Sequence, residues 1–327
     1  MFTLGDEDSI LDDIKEGVEI AMHRKGYGSD SVDPIKFNKL AYFAIKEYDI
    51  PITYGWYKYG PAPVNVANQK VSVSPRPADT VQAVNEPRVQ SPSDKTRSPE
   101  EYSYFFSNDL GEFEHIVETD TKEYLTEFYF EHAPDEYRDL YIASAELQQV
   151  LDKVREDPSW HEEGEEVVSL LMKRFPRVIH EVASNPNLKE SVGKIQDYEA
   201  LLTEILTTAS DRDDVTEVQQ RFIKRVLDYF YGGAWKYVAL LISRDTVNLS
   251  PGENKDRLLN SIEDELGELR NEYNEEISRL KEEAEKYDLV SESSRVQDVS
   301  TEDTRKFDED FDEEETVSPQ EVLEELD

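Results

Sequence analysis

With 327 residues, 37% of them hydrophobic, the chain is long enough for a sizeable core, yet its net charge of −38 far exceeds what solubility requires. It contains no cysteine, which excludes disulfides, a thiolate nucleophile and cysteine-ligated zinc. The charge argues against a broad basic surface for nucleic acid, and no apolar run approaches the ~20 residues of a membrane span.

The acidity is distributed. Residues 298–327 hold 14 Asp/Glu against Arg305 and Lys306, which leaves −26 on the other 297 residues. Such a surface suits a halophilic, haloarchaeal-type protein, because the Debye length falls to about 3 Å at molar salt and screens the self-repulsion. The expected result is loss of circular-dichroism structure as KCl is lowered from molar concentration to dilute buffer. An unchanged melting temperature over that range would contradict the halophilic reading. The acidic start, Met1 to Asp8, has no apolar stretch of a secretion signal, so a cytoplasmic protein is expected.

In chain order, "SILDDIKEGVEIAMHRK" (9–25) puts Ile10, Ile14, Val18, Ala21 and Met22 on one helical face, with Gly26 as a stop. Asp33 caps a second helix with Pro34 in its first position, running to about Tyr48 before Pro51. "ITYGWYKYG" then alternates and is rich in aromatics, which predicts a short strand or hairpin. Residues 65–101 carry Pro75, Pro77, Pro87, Pro92 and Pro99 among Ser, Asn and Gln without one aromatic. That composition predicts a disordered linker or insertion.

Helical patterning returns over 102–250. Tyr137, Leu140, Tyr141, Leu147, Val150, Leu151 and Val154 form one inner face, and further helices are predicted near 163–184, 191–208 and 214–245. The Gly232–Gly233 pair should bend the last of these. Within 255–288, Leu259, Ile262, Leu266, Leu269, Tyr273, Ile277, Leu280, Ala284 and Tyr287 step by threes and fours, the seam of a coiled coil. Self-association through 256–287 is the expectation that follows. Residues 289–327 read as an acidic disordered tail in which "PQEVLEELD" is compatible with a short terminal helix.

Chemistry-bearing motifs are sparse. There is no P-loop, GxGxxG, GxSxG or HExxH pattern, and His23, His115, His132, His161 and His180 lack ligand spacing. "HEEGEE" at His161 reads as a solvated helix start. With 74 acidic residues, close carboxylate pairs arise by chance and do not identify an acid–base site. No catalytic residue, cofactor or metal is therefore expected. Arg221, Lys224 and Arg225 form the densest basic cluster. Their ordinary role is an ion-paired helix face, and contact with nucleic acid is the alternative.

The stretch Ile35 to Pro63 stands apart. Leu40, Ala41, Phe43 and Ala44 are core candidates, whereas Tyr42, Tyr54, Trp56, Tyr57 and Tyr59 exceed what one hairpin face can bury. Asn38, Lys39, Leu40, Tyr42 and Phe43, followed by Tyr57, Tyr59, Gly60, Pro61 and Pro63, resemble the signature of the Panacea domain, an antitoxin-type family. The likeness covers about 35–63. It implies a mainly α-helical domain with a small β-hairpin, begun by 1–64 and completed by the helices of 102–250. It also implies no catalytic site and a non-enzymatic, antitoxin-like or adaptor-like function, with a protein partner such as a toxin or protease. On that reading Asn38, Lys39, Tyr42, Tyr57, Tyr59, Gly60 and Pro61 are the partner-binding residues, since aromatics with a polar tip anchor interfaces. A DNA-associated transcriptional regulator and a viral or accessory coiled-coil scaffold are the competing functions.

Overall fold

The computed structural model describes residues 4–28, 31–63, 96–212 and 214–290. The chain is mainly α-helical with one two-stranded antiparallel hairpin. Most of the linker expected at 65–101, and nearly all of the acidic tail expected at 289–327, lie outside the described residues. Residues 99–101 do not belong to a linker: they open a helix, α3 (Pro99–Tyr104), whose Ser98 and Glu101 form a reciprocal capping box.

Helix α1 (Leu4–Lys25) packs along α3 and buries Ile10, Ile14, Val18 and Met22. Helix α2 (Pro34–Tyr48) starts at Asp33, whose carboxylate accepts from the Lys36 amide at 2.8 Å, and ends at Asp49 in the left-handed region. The hairpin follows: β1 (Tyr54–Tyr57) pairs with β2 (Gly60–Pro63) in the register Tyr54↔Pro63 to Tyr57↔Gly60. Lys58 and Tyr59 form the loop, and Gly60 with φ 96° supplies the positive φ that turns the chain back into the second strand.

Around this hairpin the remaining helices assemble in sequence. They are α4 (Phe113–Glu118), α5 (Thr121–His132), α6 (Arg138–Glu156), α7 (Gly164–Ser184), α8 (Val192–Ser210), α9 (Glu217–Tyr229) and α10 (Trp235–Thr246). The expected bend at Gly232–Gly233 is a π-helical turn, Phe230–Ala234, between α9 and α10. Helix α10 lies directly on β1; a Cβ on Gly55 would stand 2.1 Å from Ser243 Oγ, so only glycine permits that approach.

The last helix, α11 (Lys255–Lys286), overturns one expectation. Ile262, Leu266, Leu269, Tyr273, Ile277, Leu280 and Ala284 are buried within a single chain, against α8, α9 and α10. Tyr273 donates to the Lys194 carbonyl, Arg270 donates to the Tyr237 hydroxyl at 2.9 Å, and Lys236 pairs with Glu265 at 2.5 Å. The seam is an amphipathic face filled by the chain's own helices, which removes the reason to expect self-association through it.

One contiguous apolar core runs from α1 to Leu289, so the N-terminal part, the 102–250 helices and α11 share a single interior. A buried polar junction ties its two ends together. Glu7, 2% exposed, accepts from the Thr53 amide and hydroxyl, both at 3.0 Å, and from Asn254 Nδ2 at 2.7 Å, just before α11. Each carboxylate oxygen therefore has a donor, as burial of such a group requires.

Candidate functional site

The aromatic hairpin is a strut, not an exposed face. The three carbonyls around its loop are each held by a side chain from a different helix. Tyr141 of α6 donates to the Tyr57 carbonyl at 2.7 Å, Trp235 of α10 to that of Lys58 at 3.0 Å, and Lys39 of α2 to that of Tyr59. On β1 the Trp56 amide donates to Thr246 Oγ1 at 2.9 Å. The carbonyls of the turn are thus each satisfied.

This arrangement draws three of the seven expected partner-binding residues into the interior. Lys39, Gly60 and Pro61 are buried, and Asn38, Tyr42, Tyr57 and Tyr59 are half-buried. Tyr42 lies edge-on against Tyr54, Trp56, Phe43 and Phe128, a contact set typical of core aromatics. Lys39, 1% exposed, sits 4.7 Å from the Phe128 ring centre; burial pushes its pKa down to about 7, against a weaker opposing pull from Asp33. Burial, helped by nearby Lys236, also lowers Lys58 to about 8. The conspicuous motif residues therefore have a structural explanation: Lys39 fixes the loop, and Gly60 leaves room for its ammonium.

Tyr59 is the exception, because it lines a cleft of about 430 Å³. The N-terminal end of α2 contributes Asp33, α5 contributes Thr121 and Lys122, and α6 contributes Asp152 and Arg155. Asp228 of α9 and Tyr231 of the π-helical turn close the far wall, where the Tyr59 and Tyr231 rings stack at 5.4 Å. Asp33 is fixed twice, through the Lys36 amide and through the Thr121 hydroxyl at 2.6 Å. Asp152, only 6% exposed, is flanked by Lys122 at 2.9 Å and Arg155 at 2.6 Å. Glu156 takes a second contact from Lys122 at 2.8 Å.

Lys122 and Glu156 hold each other in charged form. Burial works to lower the Lys122 pKa, but its pairing with Glu156 and Asp152 outweighs that and raises it. The hydrogen bond from Lys122 lowers Glu156.

A sequence match over most of the chain agrees with a fold built as one unit. Residues 1–314 match a protein family described as a domain of unknown function (DUF8098). The chain belongs to that family. Neither a curated protein nor a solved structure matches it. For this member of the DUF8098 family, the cleft rather than the hairpin surface is the place where charge, aromatic area and concavity coincide.

Two other groups carry less. Arg225 pairs with Glu283 and lies over Phe222 at 5.2 Å, while Arg221 donates to the Glu217 carbonyl at 3.3 Å. Lys224 is an exposed neighbour, so within the basic cluster it is Arg225 that fastens α9 to α11. Glu112, Glu131 and His132 place ligand-type atoms within 4.8 Å of one another. Both carboxylates are solvent-accessible and Glu112 is approached by Tyr124 at 3.4 Å, an arrangement that an acidic surface readily produces.

Among the described residues no helix is long and apolar enough to cross a membrane. Sequence reasoning identified Tyr59 but not its companions in the cleft. Lys122, Asp152, Arg155, Asp228 and Tyr231 come from three separate segments, and in so acidic a chain an aspartate is not a signal. The one available hint was Asp152, which follows Val150 and Leu151 on the inner face of α6.

Proposed function

We propose that this chain is a non-enzymatic, cytoplasmic protein-interaction module, antitoxin-like or adaptor-like, that receives a protein partner at the cleft beside Tyr59. The observation that carries the reading is the cleft's composition: stacked aromatic rings edged by paired ions. Charges paired in fixed geometry make a preorganised template for recognition. Tyrosine is also among the residues enriched at the anchors of interfaces. The likeness of 35–63 to the Panacea domain supports the same class of function.

Photo-crosslinking tests it. A benzophenone amino acid at Gln148, on the cleft wall, should give a discrete adduct with one cellular protein at matched salt, identifiable by mass spectrometry. The same probe at Glu268, exposed on α11, should not. Identical adduct patterns from the two positions, or none from Gln148, would refute the cleft as a recognition centre.

A further inference from the structure

We infer that the occupant of this cleft is an arginine side chain presented by a basic segment of the partner protein, an inference that rests on the cleft being the recognition centre. The wall charges decide the sign. Lys122 and Arg155 are both engaged by Asp152, and Lys122 also by Glu156. An anion would have to break those pairs to find a cation.

Asp228 is different. Its side chain is 63% exposed and forms only a long ion pair, 3.7 Å from Arg155, with no hydrogen bond. Counting Asp33, Asp152 and Asp228 against Lys122 and Arg155, the walls carry a surplus of negative charge. A cation entering the cleft meets this surplus together with the aromatic surface of Tyr59. Guanidinium fits better than ammonium, because a planar fork can stack on a tyrosine face while bonding a carboxylate in its own plane. A volume of about 430 Å³ leaves room for one long side chain and part of its neighbours. The chain's net charge of −38 draws a basic segment toward the surface before any contact forms.

Fluorescence anisotropy with labelled peptides tests the inference at 0.2 M and 1 M KCl. The probes are an alternating Gly/Arg peptide, its Gly/Lys counterpart and a Gly/Glu peptide. Wild type should bind the Arg peptide at least fivefold more tightly than the Lys peptide and should not bind the Glu peptide. Asp228→Asn and Tyr59→Leu should each weaken Arg-peptide binding by tenfold or more. Glu268→Gln on the exposed face of α11 should change it less than twofold. Thermal melts verify folding, and Asp228→Asn, at an exposed position, keeps the test decisive if Tyr59→Leu fails to fold.

Equal losses in Asp228→Asn and Glu268→Gln would mean diffuse attraction to an acidic surface and would overturn the inference. So would equal affinity for the Arg and Lys peptides, or preference for the Glu peptide. A partner crosslinked at Gln148 that the Arg peptide does not displace would retain the interaction module and remove the arginine.

Discussion

Replacing Leu266 and Leu269 of α11 by glutamate should unfold the protein rather than dissociate an oligomer. Leu266 is fully buried and Leu269 is 8% exposed, both against the chain's own helices. Removing a buried leucine side chain costs about 2–5 kcal/mol, and placing an unpaired carboxylate there adds to it. Two such sites reach the ~5–15 kcal/mol of net stability that a domain possesses. Circular dichroism in molar KCl should show the double variant without a cooperative transition. A variant that melts like wild type while its light-scattering mass halves would restore the intermolecular coiled coil.

The second large effect is expected at the hairpin loop. A Cβ at position 60 would stand 2.6 Å from Lys39 Nζ, on a backbone whose φ of 96° a branched residue rarely adopts. The end of a lysine can ordinarily step aside, but Lys39 is 1% exposed and its ammonium is held by the Tyr59 carbonyl. Gly60→Val should therefore lower stability by about 3 kcal/mol or more, through backbone strain and loss of the Lys39–Tyr59 bond. Lys39→Met should behave differently, because it removes a buried ammonium along with the bond.

The distinguishing readout is pH. The Lys39 pKa falls from an ordinary 10.5 to about 7 in the folded chain, so between those values the unfolded chain binds a proton that the folded chain does not. Stability must then rise with pH across that window. Lys58, lowered to about 8, adds a rise of the same sign from about pH 8. Above about pH 10 buried tyrosines such as Tyr54, Tyr102 and Tyr141, whose pKa values are raised by burial, reverse the trend. Denaturant midpoints at pH 7, 8 and 9.5 in molar KCl should climb for wild type and climb less for Lys39→Met. Parallel profiles would show that Lys39 is not the titrating group.

Structure that is decided locally follows the sequence closely. Asp33 with Pro34, the period of α1 and the Gly232–Gly233 break each act within a few residues, and each appears where the sequence places it. Errors arose where the deciding partner was distant. The spacing of the α11 seam is the same whether a second chain or α8–α10 fills it, so periodicity could not separate the two. The density of aromatics in 35–63 suggested surplus surface because the hairpin was counted alone. With α5, α6 and α10 packed round it, Tyr54 and Trp56 are core, and only Tyr59 reaches a cleft. The cleft's ions were invisible for a simpler reason: they become neighbours only through tertiary packing.

The fastening of the loop carbonyls also sets an order of events on the ribosome. Lys39 lies 20 residues from its acceptor, Tyr141 lies 84 away, and Trp235 lies 177 away. At about 5–20 residues per second, the hairpin waits roughly 10–35 s after its own synthesis for the indole that completes it. During that interval an early, aromatic-rich segment is made without its enclosing helices, and high-separation contacts of this kind are slow to form. Nascent chains arrested before Trp235 emerges should therefore recruit holding chaperones at residues 35–63, and those arrested after α11 has emerged should release them.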